Sequence, residues 1–146
     1  MSTYLIKSFF LIVLTLSLGC APLEKISEKI LPRDNYFRIY DLNFSDFHPK
    51  LNSFLQGYAR KNKGSSFQIR RLGREEVIWR GIFKIRNSPE SFLVEISSKD
   101  AGQKKSKLEI KFIGDKSPRT SASWERASAD FFQAVEEDLK ITPQSN

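Results

Sequence analysis

The chain holds one histidine and one cysteine, and these two residues limit the chemistry that it can carry. Hydrolytic catalysis needs a nucleophile with a base beside it, and histidine is the usual base near neutral pH. His48 lies in Asp46-Phe47-His48-Pro49, where we expect a helix to begin and where an exposed polar residue is ordinary. No second histidine is present as a metal co-ligand. We therefore expect neither a histidine-based catalytic site nor a metal site.

Paired carboxylates are a second route to chemistry, because a glycosidase uses two of them. The local groups are Asp41 with Asp46, Glu75 with Glu76, and the acids of Glu136-Glu137-Asp138. All of them lie near expected turns or helix ends, where acids are common for ordinary reasons. The sequence has no glycine-rich phosphate loop, Walker lysine or EF-hand ligand series. We expect no enzyme and no cofactor, and a cell-envelope hydrolase that uses carboxylates stays open as the alternative.

Basic side chains are concentrated in the middle of the chain. Residues 60–86 hold nine basic and two acidic side chains, whereas residues 120–140 hold two basic and five acidic ones. Alternation along strands puts basic side chains on one sheet face and apolar side chains on the other. The residues expected on a basic face, as a tentative binding surface for an anionic partner, are Arg70, Arg80, Lys84, Arg86, Lys107 and Lys111. A solvated face without a ligand is the other interpretation of this pattern.

The N-terminal residues have the order of a secretory signal, with Lys7 before an uncharged stretch and a small residue at the cut site. The stretch Phe9–Gly19 has 11 residues, well short of the roughly 20 that a membrane-spanning helix needs. Leu16-Ser17-Leu18-Gly19-Cys20 resembles the lipobox of bacterial lipoproteins, with Ser17 at the place where leucine is usual. The resemblance implies that signal peptidase II cuts before Cys20 and that the cysteine carries a diacylglyceryl thioether, with palmitate among its acyl chains.

This resemblance implies a protein that is held at a membrane of the cell envelope. Ala21, rather than an aspartate, follows the cysteine, which in this family leads to the outer membrane of many didermic bacteria. We expect the domain to face the periplasm or the cell surface. A net charge of +7 then points to anionic lipid, glycan or an envelope protein, since an exported chain does not meet nucleic acid inside the cell. The expected partners are the membrane, through Cys20, and an anionic envelope component.

The segments behind the signal are expected to form one domain. We predict a signal peptide at residues 1–19, a lipidated flexible tether at 20–34, a single domain at 35–141 and a disordered tail at 142–146. Helical spacing of apolar residues predicts two helices, one at 45–62 capped by Ser45 and one at 123–141 capped by Ser121 or Ser123. Period-two patterns predict strands at residues 36–42, 67–72, 77–86, 92–98 and 107–113, with loops at 99–106 and 114–120.

The resulting order, β-α-β-β-β-β-α, predicts an α+β two-layer sandwich with a mostly antiparallel sheet and two helices on one face. This layout, together with the anchor, resembles that of the lipopolysaccharide-assembly lipoproteins of the outer membrane. The acids at 136–138 lie at the end of the last helix that the macrodipole disfavours, and the sequence offers no reason. We expect a non-enzymatic binding or assembly accessory. A purely structural surface lipoprotein is a further alternative.

Overall fold

The computed structural model describes residues 35–115 and 117–145. The predicted signal peptide, Cys20 and the predicted tether lie outside the described residues. The elements, in chain order, are β1 (Asn35–Tyr40), α1 (Phe44–Lys61), β2 (Ser66–Leu72), β3 (Glu76–Lys84), β4 (Ser91–Gly102), β5 (Lys105–Phe112) and α2 (Pro118–Leu139). This order is the predicted one, and the α+β class is confirmed.

The five strands form one sheet in the order β1-β5-β4-β3-β2, with every neighbouring pair antiparallel. The last four strands follow one another as a meander, as predicted, and β1 pairs with the outer side of β5. Both helices pack on the same face of this sheet. Trp124 of α2 stacks on Phe112 of β5, and Tyr58 of α1 stacks on Phe83 of β3. The helices therefore cover one face with aromatic contacts and leave the other without a helix among the described residues.

Alternation along the strands decides which side chains enter the core between the two layers. In β3 the helix-facing residues Val77, Trp79 and Phe83 are fully buried, as predicted. The remaining helix-facing position of β3 is Gly81. β2 passes very close to it, and a Cβ there would lie 1.8 Å from the carbonyl oxygen of Ser66. The absence of a side chain at this position thus allows the edge strand to reach β3.

The first helix begins earlier than predicted and has a different cap. Asn43 is the N-cap residue, no side chain caps the helix, and the Asn43 carbonyl accepts the backbone N–H groups of Asp46 and Phe47. The expected cap, Ser45, lies inside the helix. Pro49 is consequently the sixth helical residue and leaves the Ser45 carbonyl without its helical donor. Ser45 is exposed, so water can supply that hydrogen bond.

The second helix also begins before the predicted residue. Ser117 is its N-cap: the Ser117 hydroxyl accepts the N–H of Thr120 at 3.2 Å, and the Thr120 hydroxyl accepts the N–H of Ser117 at 2.6 Å. These reciprocal bonds form a capping box, and Pro118 follows at the first helical position, where its missing N–H costs nothing. The prediction of a cap at Ser121 or Ser123 and of a loop up to Thr120 was therefore wrong.

The predicted loop at residues 99–106 is a β-hairpin. β4 continues to Gly102 and β5 starts at Lys105, so only Gln103 and Lys104 form the turn. Both have positive φ, 51° and 60°, which is the backbone of a tight hairpin turn whose twist matches the strands. The expectation of a flexible lysine-rich loop was wrong, because Lys105 and Lys107 lie in β5.

The C-terminal residues run along the outer edge of β1. Pro143 forms an isolated bridge with Tyr40, and the Gln144 N–H donates to the Ile39 carbonyl at 2.9 Å. The Gln144 side chain also donates to Asp41 at 2.7 Å. Within residues 35–115 and 117–145 no helix combines the length and the apolar character that crossing a bilayer requires.

Candidate binding surface on the open sheet face

The open face is the side of the sheet that is turned away from the two helices. Strand alternation and register place four of the six predicted binding residues on it: Arg80 and Lys84 on β3, and Lys107 and Lys111 on β5. Glu95 of β4 lies between Arg80 and Lys111, since it is opposite Arg80 on one side and Lys111 on the other. The structure thus brings these four cations onto one surface.

A buried carboxylate sits among the lysines of β5. Glu109 is only 4% exposed, and the Nζ atoms of Lys107 and Lys111 lie 3.3 and 3.7 Å from its carboxylate oxygens. The Lys107 ammonium also lies 4.3 Å from the centre of the Phe37 ring. Two lysines therefore share one carboxylate, which leaves an excess of positive charge at this part of the face.

The far part of the open face has the same arrangement of two cations around one carboxylate. Glu76 at the start of β3 contacts Lys99 at 2.9 Å and Arg71 at 3.7 Å. The hydrogen bond that Lys99 donates to Glu76 raises the pKa of Lys99. Over the described part of the open face, seven basic residues stand against three acidic ones, namely Arg71, Arg80, Lys84, Lys99, Lys105, Lys107 and Lys111 against Glu76, Glu95 and Glu109. No salt bridge involves Arg80 or Lys84 among the residues that the structure describes.

Three exposed aliphatic side chains form a row across β3, β4 and β5. Ile82 is opposite Leu93, and the Ile113 N–H donates to the Leu93 carbonyl at 2.9 Å. Their exposed fractions are 41%, 42% and 39%. Arg80 and Lys111 precede the row along their strands, and Lys84 follows it on β3. We call these six residues the mixed patch: Arg80, Ile82, Lys84, Leu93, Lys111 and Ile113.

Sequence reasoning found only part of the mixed patch. In the sequence, Ile82 alternates with Arg80 and Lys84 on the basic side of its strand, whereas Leu93 and Ile113 are not flanked by basic residues on both sides in this way. Alternation in β4 carried the signal for Leu93, because its neighbour Val94 is fully buried and adjacent residues point to opposite faces. Ile113 follows the last residue of β5, so its place beside Leu93 depends on a hydrogen bond that sequence does not reveal.

Arg70 lies apart from the other predicted residues. It is the extra residue of a β-bulge in β2, between Ile69 and Arg71, on the free edge of the sheet. Arg70 is exposed, and it has no opposite residue on β3 because the bulge interrupts the register.

Arg86 does not lie on the open face, so its predicted position there was wrong. β3 ends at Lys84 and the chain turns, after which the Arg86 guanidinium reaches α2. Its Nε donates to Asp130 at 2.9 Å and its Nη1 to Glu137 at 2.8 Å. These two hydrogen bonds raise the pKa of Arg86, and the one that Arg86 donates to Glu137 has the larger effect. The contact with Arg86 also lowers the pKa of Glu137. Arg86 therefore ties the end of the sheet to the second helix.

A second ionic group ties β1 to the same helix. Arg38 forms a salt bridge with Glu136, and the Tyr40 hydroxyl donates to Glu136 at 2.9 Å. The Arg38 guanidinium also lies 4.9 Å from the centre of the Phe132 ring. Burial, followed by the hydrogen bond to Glu136, raises the pKa of Tyr40. Two of the three acids near the end of α2, Glu136 and Glu137, thus have cationic partners, which offset their unfavourable place in the helix dipole.

The remaining residues considered for chemistry have structural contacts. His48 is half-buried: its Nδ1 lies 2.8 Å from the Phe44 carbonyl oxygen, and its ring centre lies 4.7 Å from that of Phe44. Asp41 accepts the hydrogen bond from Gln144. Across residues 35–115 and 117–145, no group of three or more histidine, cysteine, aspartate or glutamate residues is arranged to hold a metal ion.

Two shallow cavities lie at the surface. One of about 510 Å³ runs between α1 and α2 and has Phe54, Gly57 and Ala134 among its lining residues. The other, a notch of about 550 Å³ beside the C-terminal end of α1, is lined by Lys61, Lys63 and Lys84 with uncharged neighbours. Lys84 belongs to both this notch and the mixed patch, so basic side chains continue around that end of the sheet.

Comparison with known proteins shows a likeness in shape at low similarity. No protein-family model matches the chain, and no curated protein matches it. Among solved structures, the ZhuI aromatase/cyclase from Streptomyces sp. R1128 matches with a TM-score of 0.42 and 10% identity, over 74% of this chain and 93% of that one. The vertebrate conserved region of human METTL16 matches with a TM-score of 0.42 and 12% identity, over 71% and 98% of the two chains.

Proposed function

We propose that this protein is a lipid-anchored lipoprotein of the bacterial cell envelope, attached through Cys20 and directed to the outer membrane. It acts as a non-enzymatic binding or assembly accessory and presents the open face to an anionic lipid, glycan or protein partner. The observation that carries the proposal is the placement of both helices on one side of the sheet. The other side keeps more than twice as many basic as acidic residues and a row of exposed aliphatic side chains.

Electrostatics support an anionic partner over a neutral one. The cations of the helix-facing side, Arg38 and Arg86, are each paired with carboxylates of α2. On the open face, in contrast, Arg80 and Lys84 keep no such partner among the described residues. An unpaired cation on an exposed surface raises the local concentration of anions and speeds their association. The open face therefore presents at least two cations that are free to contact an anionic partner.

The anchor is tested by chemistry at Cys20. Cells expressing the wild-type chain are grown with radioactive palmitate, and a Cys20→Ser variant is the control. We expect label on the wild-type protein and none on the variant. The mass of the mature N terminus should correspond to a chain that begins at an acylated Cys20. An unlabelled wild-type product, or a variant that matures to the same mass, would contradict the lipoprotein proposal.

The binding role is tested by reversing charge on the open face. The variant carries Arg80→Glu, Lys84→Glu and Lys111→Glu together, and capture of partners from the native membrane is measured by pull-down. We expect binding to be lost. A matched control reverses three exposed cations on the helix side of the molecule, Lys50→Glu, Arg60→Glu and Lys140→Glu, and should bind as wild type.

The matched control separates a local surface from overall charge. Equal loss in both variants would mean that net charge alone drives capture. Undiminished binding by the open-face variant would remove the reason to assign a role to this surface. Both variants should keep the wild-type circular dichroism spectrum, which is measured before binding is compared.

A further inference from the structure

The described chain enters the fold beside the mixed patch. Asn35, the first described residue, pairs with Lys111 at the start of β1. Lys111 also pairs with Glu95, which pairs with Arg80, so one cross-strand line joins the chain entry to the cations of the patch. The aliphatic row Ile82, Leu93 and Ile113 is the next line toward the end of the sheet. The segment that leads back to Cys20 thus joins the sheet at the end that carries the patch.

We propose that the mixed patch lies against the anionic leaflet of the same membrane that holds the lipid on Cys20. This inference rests on the proposed lipoprotein function and names the partner of one part of the open face: a bilayer surface with negatively charged headgroups. The aliphatic side chains enter the boundary between headgroups and acyl chains. The basic side chains contact lipid phosphates beside them.

The composition of the patch fits an interfacial contact. A surface that binds a membrane combines apolar side chains, which lose contact with water, with cations that are attracted to anionic headgroups. Each of the three aliphatic side chains is exposed by about two fifths and lies within one strand position or two of a cation. Membrane affinity should fall roughly fivefold for each such cation removed. Three cations together should change it on the order of a hundredfold.

The contact agrees with the length of chain that links it to the anchor. Fourteen residues lie between Cys20 and Asn35, and an extended segment of that length reaches at most about 50 Å. Because the chain enters the sheet next to the patch, the patch can meet the bilayer without the segment passing around the domain. The lysines of the notch, Lys61 and Lys63, lie beside Lys84 and extend the basic surface in the same direction.

The experiment places an environment-sensitive fluorophore in the patch of the full lipidated protein. Acylation consumes the thiol of Cys20, the chain's own cysteine, so a Leu93→Cys substitution supplies the thiol for labelling with a nitrobenzoxadiazole dye. Leu72→Cys is the matched control. Leu72 is 71% exposed, but it lies at the end of the sheet that is away from the mixed patch. Both proteins are reconstituted into vesicles of phosphatidylcholine alone or with phosphatidylglycerol. Emission and quenching by lipid-borne nitroxides are then measured.

We expect the dye at position 93 to shift to shorter wavelength and to be quenched in the anionic vesicles, and to do so much less in neutral vesicles. The dye at position 72 should stay in water in both. Adding Arg80→Glu, Lys84→Glu and Lys111→Glu should return the dye at position 93 to water. If positions 93 and 72 behave alike in anionic vesicles, the membrane contact is refuted.

Flotation of the same vesicles separates the two proposals. Protein that fails to float with them has no lipid anchor, which overturns the proposed function itself. Protein that floats while the dye at position 93 remains in water keeps the anchor but not the contact. A dye that is exposed on pure lipid yet protected in native membranes would assign the patch to a protein or glycan partner and overturn the bilayer proposal.

Discussion

The two faces of the sheet use the same residue types in different ways. On the helix side, Arg38 and Arg86 are each held by carboxylates of α2, and the aromatic side chains between them are buried. On the open face, Arg80 and Lys84 have no salt bridge among the described residues, and Ile82 and Leu93 remain in water. The comparison indicates that stability depends mainly on one face, which leaves the other free to change contacts without unfolding the domain.

The largest contrast is expected between two adjacent residues of β3. Phe83 is fully buried against Tyr58 and Phe131, so Phe83→Ala should lower the free energy of unfolding by about 3–5 kcal/mol. Ile82 points to the open face, and Ile82→Ala should cost about 0.5 kcal/mol or less. Chemical denaturation of both variants measures the difference. Similar losses in the two variants would contradict the statement that stability depends mainly on the helix-facing side of the sheet.

Two glycines give opposite expected signs. Gly81→Ala places a methyl group 1.8 Å from the Ser66 carbonyl, a clash with backbone that should cost about 2–3 kcal/mol as β2 is pushed away. Gly57 lies within α1 and has no atom within 4 Å of the position its Cβ would take, so Gly57→Ala should stabilise by about 0.5–1 kcal/mol. Melting temperatures would show the sign directly. A neutral Gly81→Ala would mean that β2 is not held to β3 as described.

A smaller effect is expected from the arginine that joins the sheet to α2. Arg86→Gln leaves the partly buried Asp130 without its cation and should cost about 1–2 kcal/mol. Arg80→Gln on the open face is the control and should cost about 0.5 kcal/mol or less. If both variants lose the same free energy of unfolding, the ionic contacts of Arg86 do not stabilise the fold more than an unpaired cation of the open face does.

Acid titration tests the contact between Arg86 and Glu137. The Arg86 contact lowers the pKa of Glu137 in the folded protein, so this contribution to stability is present above the unfolded pKa and is lost as pH falls through the folded pKa. Denaturation between roughly pH 5 and pH 2 should therefore show a steeper loss in the wild type than in Arg86→Gln. Parallel pH curves would show that Glu137 does not depend on Arg86.

The spacing of apolar residues, with a period of two in strands and 3.6 in helices, was sufficient to predict the fold class, the element order and the buried side of β3. They failed where a distant partner or a turn decides the outcome. Arg86 follows the alternation of its strand in sequence, but β3 ends two residues before it and its partners on α2 lie 44 and 51 positions away. The same contacts give Glu137 a cationic partner, although its place near the end of α2 is unfavourable in the helix dipole.

Turn and cap positions were the other source of error. The hairpin after β4 uses Gln103 and Lys104 at positive φ, where Asn-Gly or another glycine pair is the usual signal, so a polar loop was predicted instead. The start of α2 has its capping box at Ser117 and Thr120, several residues before the apolar stripe begins at Trp124. Because the prediction relied on this apolar stripe, it placed the cap several residues too late in the chain.

The bulge at Arg70 affects how copies of this protein behave when they are crowded. A flat outer strand exposes a ladder of unpaired amide and carbonyl groups to which a second molecule can add its own edge. At Arg70 the spacing of these groups is interrupted, and the neighbouring arginines at 71 and 74 add repulsion between like edges. The bulge and the arginines beside it therefore oppose the pairing of two molecules along β2.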